Sequence, residues 1–229
     1  SSFIFSFYEK GFVMKRPPGI PSLIQALLVS APLLLAAPVA AQSSNATISQ
    51  IGNGSTLATD QSQAAGATIL VEQIGEAMRA NIVQRDGAHK ATVRMQGEEQ
   101  SVEAVQAGSG LNRIEVDVAG GFNMVSADQF AEAGGSNIAL LSQNGIGNHA
   151  LIAQQAAVGQ NYLSLAQNGN DNVAALSQNG GDNQMDLTQN GDANTANLTQ
   201  DGVGLILGII QNGGASTTVT QTGPGGGGG

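Results

Sequence analysis

From Asn137 to Gln211 the chain repeats one short phrase: Asn, five residues, Gln, Asn-Gly, two residues, Asn again. Units open at Asn137, Asn148, Asn161, Asn172, Asn183 and Asn194, and close at Gln143, Gln154, Gln167, Gln178, Gln189, Gln200 and Gln211. The period is eleven, apart from two extra residues between Gln154 and Gln167. Within a unit, polar and apolar positions alternate. Asn194, Ala196, Leu198 and Gln200 share one face, and Thr195, Asn197 and Thr199 share the other. Strict alternation is the pattern of a half-buried β-strand. The Asn-Gly and Asp-Gly pairs after the strands supply residues suited to positive φ, so each unit reads as about seven residues of strand and four of turn.

The inward pairs carry a second regularity: Leu163/Leu165, Ala174/Leu176, Met185/Leu187, Ala196/Leu198, Leu207/Ile209. The first member alternates large and small, so the structural repeat is two units, twenty-two residues long. Folding each pair of strands into a flat loop and stacking the loops puts large on large and Ala on Ala. Asn and Gln then form ladders at the edges, where stacked amides satisfy one another and can be buried. The predicted fold is all-β: a β-solenoid with amyloid-like cross-β spacing.

The same frame drifts through the preceding segment. Gln50, Gln61, Gln73 and Gln84 close units at spacings of eleven or twelve. The unit near residues 89–97 is out of frame by one, with Met95 or Gln96 in the closing place, and the unit starting at Asn112 closes on Val118. Phe130 to Ser136 reads as an irregular insertion. Sixteen strands are expected, hence eight two-strand rungs. Residues 42–136 form the divergent repeats, 137–221 the regular ones, and 222–229 a flexible glycine-rich tail.

At the other end, Met14-Lys15-Arg16, an apolar run from Leu23 to Val39 and small residues before Gln42 read as a secretory signal peptide over residues 14–41. Residues 1–13 read as lying upstream of the true start. Gln25, Ser30, Pro32 and Pro38 interrupt the run, which speaks against a membrane anchor. After cleavage no membrane-spanning segment is expected.

Composition then narrows the function. The chain has no Cys and no Trp, and residues 42–229 keep three aromatics: Phe122, Phe130 and Tyr162. A stacked column of aliphatic side chains does not need aromatic area. That segment holds five basic and sixteen acidic residues, with no Lys or Arg after Arg113, which argues against a nucleic-acid partner. His89 and His149 stand alone and read as exposed strand or turn residues. No metal-ligand spacing, nucleophile motif or cofactor motif is present, so neither an enzyme nor a cofactor is expected.

The repeat Ser-x5-Gln-x-Gly-x-x-Asn-x5-Gln resembles that of curlins, the secreted subunits of curli fibres. Ser44 to Gly52 looks like the Ser-led half, and Asn148–Gln154, Asn172–Gln178 and Asn194–Gln200 look like the Asn-led half. The chain departs in having Asn at the head of both halves through 137–194, and in carrying its glycine-rich stretch at the C-terminal end. The resemblance implies self-assembly into an extracellular fibre for biofilm matrix and adhesion. It also implies a secretion pore, periplasmic chaperones, and other curlin-type subunits or a nucleator as partners. The main alternative is a monomeric extracellular β-solenoid adhesin. In the fibre reading the amide positions, with Asn148, Asn161, Asn172, Asn183 and Asn194 among them, form the assembly ladder. Asp182, Asp186, Asp192 and Asp201 are candidate gatekeepers that slow premature assembly by repulsion.

Overall fold

A computed structural model describes residues 44–224. The predicted signal peptide and most of the glycine-rich tail lie outside the described residues. The chain coils as sixteen strands, alternating between two parallel sheets of eight. The first sheet holds β1 (Asn45–Ile51), β3 (Thr68–Glu76), β5 (Lys90–Glu98), β7 (Leu111–Gly121), β9 (Gly135–Ile146), β11 (Gly159–Asn168), β13 (Gln184–Asn190) and β15 (Ile206–Asn212). The second holds β2 (Thr56–Asp60), β4 (Arg79–Gln84), β6 (Ser101–Ala107), β8 (Met124–Ala131), β10 (His149–Ala156), β12 (Val173–Gly181), β14 (Thr195–Val203) and β16 (Ser216–Thr222). Consecutive strands lie in opposite sheets, and each strand pairs with the strands two before and two after. Two strands make a rung, so there are eight rungs. This is the β-solenoid that the period of eleven predicts.

Register follows the sequence frame. Leu163 pairs with Met185 and Met185 with Leu207, while Ala150 pairs with Ala174 and Ala174 with Ala196. Large thus stacks on large and small on small. Leu163, Leu165, Leu176, Met185, Leu187 and Leu198 are fully buried, whereas Leu207 and Ile209 on the last rung are only half covered. A parallel sheet of this kind buries one face of each strand, so the alternation survives into the burial pattern.

The turns explain the glycines. At the end of each first-sheet strand, either its next-to-last residue or the residue just past it, stands a glycine with positive φ: Gly52, Gly75, Gly97, Gly120, Gly145, Gly169, Gly191 and Gly213. A Cβ on Gly145 would come within 1.9 Å of the Gly169 carbonyl oxygen, and one on Gly97 within 1.8 Å of that of Gly120. No side chain fits between rungs there.

One open sequence reading is settled and two expectations are corrected. In the out-of-frame unit Met95, not Gln96, takes the closing position, pairing with Gln73 and Val118 and lying fully buried. The irregular insertion shrinks, because Phe130–Ala131 belong to β8 and Gly135–Ser136 to β9, leaving residues 132–134 as the turn. His89 is not exposed: it is 1% accessible, inside the column that later rungs fill with Asn.

Candidate functional site: amide ladders and open ends

The amides line the two corners of the flattened coil. On the second sheet Gln61, Gln84, Gln106, Gln129, Gln154, Gln178, Gln200 and Gln221 form one unbroken ladder. Each Nε2 donates to the Oε1 of the next, at 2.7 to 3.0 Å. The other N–H of each reaches across the coil to a carbonyl on the preceding strand, as from Gln154 to Ile138 and from Gln178 to Tyr162. Both donors of each interior Gln are thereby used. These amides are as buried as the aliphatic core, at 0–3% accessibility from Gln84 to Gln200.

The first-sheet ladder has a gap. Gln50 donates to Gln73, and Gln143, Gln167, Gln189 and Gln211 form a second run. Between them stand Met95 and Val118, which have no amide to offer. The Oε1 of Gln143, facing Val118, is accordingly a buried oxygen without a partner. The only other such side-chain atom among the described residues is the Oε1 of Gln100, on the rung after Met78. Both orphaned oxygens thus sit where a ladder breaks.

The Asn columns open the strands. Asn148, Asn172 and Asn194 each donate Nδ2 to the Oδ1 of the Asn one rung before, starting at Asn123, at 2.9 to 3.2 Å. On the other corner Asn137 donates to Asn112 and Asn161 to Asn137. Asn183 donates its backbone N–H to the Asn161 Oδ1. Amide donors therefore point toward the C-terminal end in the Gln ladders and toward the N-terminal end in the Asn ladders. Gln106, Gln129, Gln221, Asn112, Asn123 and Asn137 complete these columns. Sequence reading left them out of the ladder set, although the period of twenty-two places them there.

His89 occupies the same column as Asn112. Its Nε2 lies 2.8 Å from the Arg85 carbonyl oxygen and donates to it, while Nδ1 accepts the Asn112 backbone N–H at 3.3 Å. Burial lowers its pKa from the ordinary imidazole value, against smaller upward pulls from the Arg85 carbonyl and Asp86. The ring is the neutral Nε2–H form.

The four candidate gatekeepers lie at turns or on an outer face. Asp192 Oδ1 accepts the Asn170 backbone N–H at 2.7 Å and Asp182 Oδ1 that of Gln160 at 3.0 Å, each bridging one rung to the one before. Asp201 accepts from the Asn179 amide and Asp186 from the Gln184 amide. All four therefore have hydrogen-bonding partners as well as charge.

The ends decide what the column can do. β1 and β2 at one end, and β15 and β16 at the other, have one neighbour each. Their outer backbone edges are unpaired among the described residues, and the aliphatic core stands open there: Ile48 is 38% accessible, and Leu57, Leu207, Ile209 and Val219 are half-buried. The terminal rungs are almost uncharged, with none from Leu205 to Thr222 and only Asp60 from Ser44 to Ser62.

Residues 160–191 match the curlin associated repeat. The chain carries a curlin repeat. The matched segment holds β11 except Gly159 and all of β12 and β13, so it begins and ends inside the regular block and spans more than one rung. No curated protein and no solved structure matches the chain. Among the described residues there is no helix to cross a membrane and no cluster of three or more metal-ligating acids or histidines.

Proposed function

We propose that this protein is a secreted structural subunit that polymerises into a curli-like fibre, serving as biofilm matrix and surface adhesion material. The observation that carries the reading is the matched pair of open ends. If the register of the coil continues from one copy to the next, β15 meets β1 and β16 meets β2. Gln211 then falls on Gln50, Gln221 on Gln61, Leu207 on Ala46 and Ile209 on Ile48. Unpaired strand edges and uncovered aliphatic residues are what a second copy would cover.

The ladders favour one orientation. Gln221 donates to the Ile206 carbonyl and keeps a second N–H for an acceptor beyond it, and the Oε1 atoms of Gln50 and Gln61 accept from no described residue. Head-to-tail stacking puts the Gln221 donor on the Gln61 acceptor. Head-to-head stacking would set oxygen against oxygen, and the resulting contact is heterologous and open-ended. Such a joint makes a fibre rather than a closed oligomer.

In this reading the partners are further copies of the chain and other curlin-type subunits or a nucleator. A secretion pore and periplasmic chaperones deliver it, and it acts outside the cell. Asp182, Asp186, Asp192 and Asp201 slow premature association. Replacing all four by Asn keeps an oxygen for each hydrogen bond and removes four negative charges. The lag before fibre growth is expected to shorten severalfold at low salt, and an unaltered lag would remove the gatekeeper role.

Fibre diffraction and seeded growth of the purified protein test the main proposal. Expected are a meridional reflection near 4.8 Å and elongation from one end of each seed. A chain that remains monomeric for days at micromolar concentration would overturn it.

A further inference from the structure

The structure assigns a self-modification site to Asn53–Gly54, on the turn between β1 and β2. The chain holds six Asn-Gly pairs: Asn53, Asn144, Asn168, Asn179, Asn190 and Asn212 each precede a glycine. In such a pair the glycine backbone nitrogen can attack the asparagine Cγ. The new N–Cγ bond closes a five-membered succinimide, and the side-chain nitrogen leaves as ammonia. Water then opens the ring at either carbonyl, giving aspartate or isoaspartate. The step needs the glycine N–H free of a tight hydrogen bond and a turn able to bring nitrogen to Cγ.

Coiling denies this to five of the six. Gly169, Gly191 and Gly213 donate their N–H groups to the carbonyls of Asn144, Asn168 and Asn190, at 2.8 to 2.9 Å. Gly145 and Gly180 are themselves paired residues within β9 and β12. At these five sites the reaction has to wait for local opening of a rung.

Gly54 differs because it sits on the first rung. Each later residue of its column donates its N–H back by one rung: Ala77 to Asn53, Glu99 to Glu76, Phe122 to Glu98, Gly147 to Gly121, Asp171 to Ile146, Ala193 to Asn170. For Gly54 no described rung precedes it, and no described residue accepts its N–H. Asn53 and Gly54 are both exposed. The conversion would lengthen the turn by a methylene where isoaspartate forms, and would add a carboxylate to a rung whose only charge is Asp60. The assignment is made for the single chain, in which no described rung precedes Gly54, and holds there whether or not copies go on to stack.

The test is peptide mass mapping of the full chain, held dilute and monomeric at mildly alkaline pH and sampled over days. Amide-to-acid conversion at Asn53 is expected to be at least about tenfold faster than at any of the other five. Gly54→Ala supplies the control, since Ala77 and Ala193 already occupy this column with φ of 52° and 56°. A Cβ at Gly54 would meet nothing closer than 3.8 Å. The variant should fold as the parent does and lose the fast conversion, because the methyl group hinders attack by the nitrogen. Equal rates at all six sites, or an unaltered rate in Gly54→Ala, would overturn the assignment.

Discussion

A buried amide is stable here only because the amides above and below complete it. Gln154 donates to Gln178 and accepts from Gln129. Gln154→Val, the residue type nature places at 118, would leave the Gln129 N–H and the Gln178 oxygen unmatched inside the column. A loss of about 1–3 kcal/mol per unmatched buried group is expected in urea unfolding. The converse change repairs the gap. Val118→Gln offers the orphaned Gln143 oxygen a donor but leaves its own oxygen facing Met95. Met95→Gln accepts from Gln73 but leaves an N–H facing Val118. Each single change thus completes one contact and leaves another buried group unmatched. Together they join Gln73 to Gln143 in one ladder, the amide introduced at 95 donating to the oxygen introduced at 118, so a double-mutant cycle should show favourable coupling of about 1 kcal/mol or more. Additive effects would contradict this account of the broken ladder. His89 makes the Asn112 column sensitive to pH. Because burial lowers its pKa, the unfolded chain binds the proton more readily than the folded one. Stability is then flat above the unfolded value of about 6.5 and falls as pH drops below it, by at most about 1.4 kcal/mol per pH unit. Protonation would also set an Nδ1–H against the Asn112 N–H. His89→Asn, which copies the later rungs, should abolish this slope, and His149→Asn on the outer face should leave it in place.

At the scale of strands and turns, the sequence made most of the coil legible because one period governs both sheets. A strand of seven residues and a turn of four repeat often enough that register, burial and rung number follow from counting. The period failed where it was locally broken. Met95 holds a closing place that Gln96 contests only in the bare sequence; the paired strand settles it by turning Gln96 outward, where it is exposed. Lone His89 looked like a surface residue because imidazole is polar. Only its alignment with Asn112 shows that it is an amide substitute within a hydrogen-bonded column. The turn glycines were legible as sources of positive φ, but the reason for their insistence was not. Carbonyls of the next rung occupy the space, and no single-strand reading shows that. Gly145→Ala is accordingly expected to cost more than about 2 kcal/mol through strained φ and collision with the Gly169 carbonyl. Thermal unfolding of this variant beside Gly54→Ala, whose new Cβ makes only ordinary contacts at 3.8 Å, separates the collision from the loss of glycine freedom.

Across the whole molecule the two ends differ in chemistry while sharing a register, and that difference makes the fibre joint testable by charge. Continuing the second sheet from one copy to the next places Thr220 of β16 in the outward column that runs Asp60, Val83, Val105, Asp128, Ala153, Ser177, Thr199. Thr220 would therefore stand beside Asp60 of the following copy, although within one molecule the two lie at opposite ends of the column. Thr220→Asp should slow elongation and Thr220→Lys should speed it. Neighbouring cross-strand charges contribute roughly 0.2–1 kcal/mol, hence about a 1.4- to fivefold change in rate. Both effects should fade as added salt shortens the screening length. Asp60→Lys combined with Thr220→Asp should restore growth, because the pair is then attractive again with its signs exchanged. Monomer stability supplies the internal control, since neither position contacts the other within one chain. A joint between like ends predicts no rescue, because it would set the two C-terminal rungs, or the two N-terminal rungs, against each other and keep Thr220 apart from Asp60. Rescue by the charge exchange thus distinguishes an in-register, one-directional stack from every arrangement in which the ends meet their own kind.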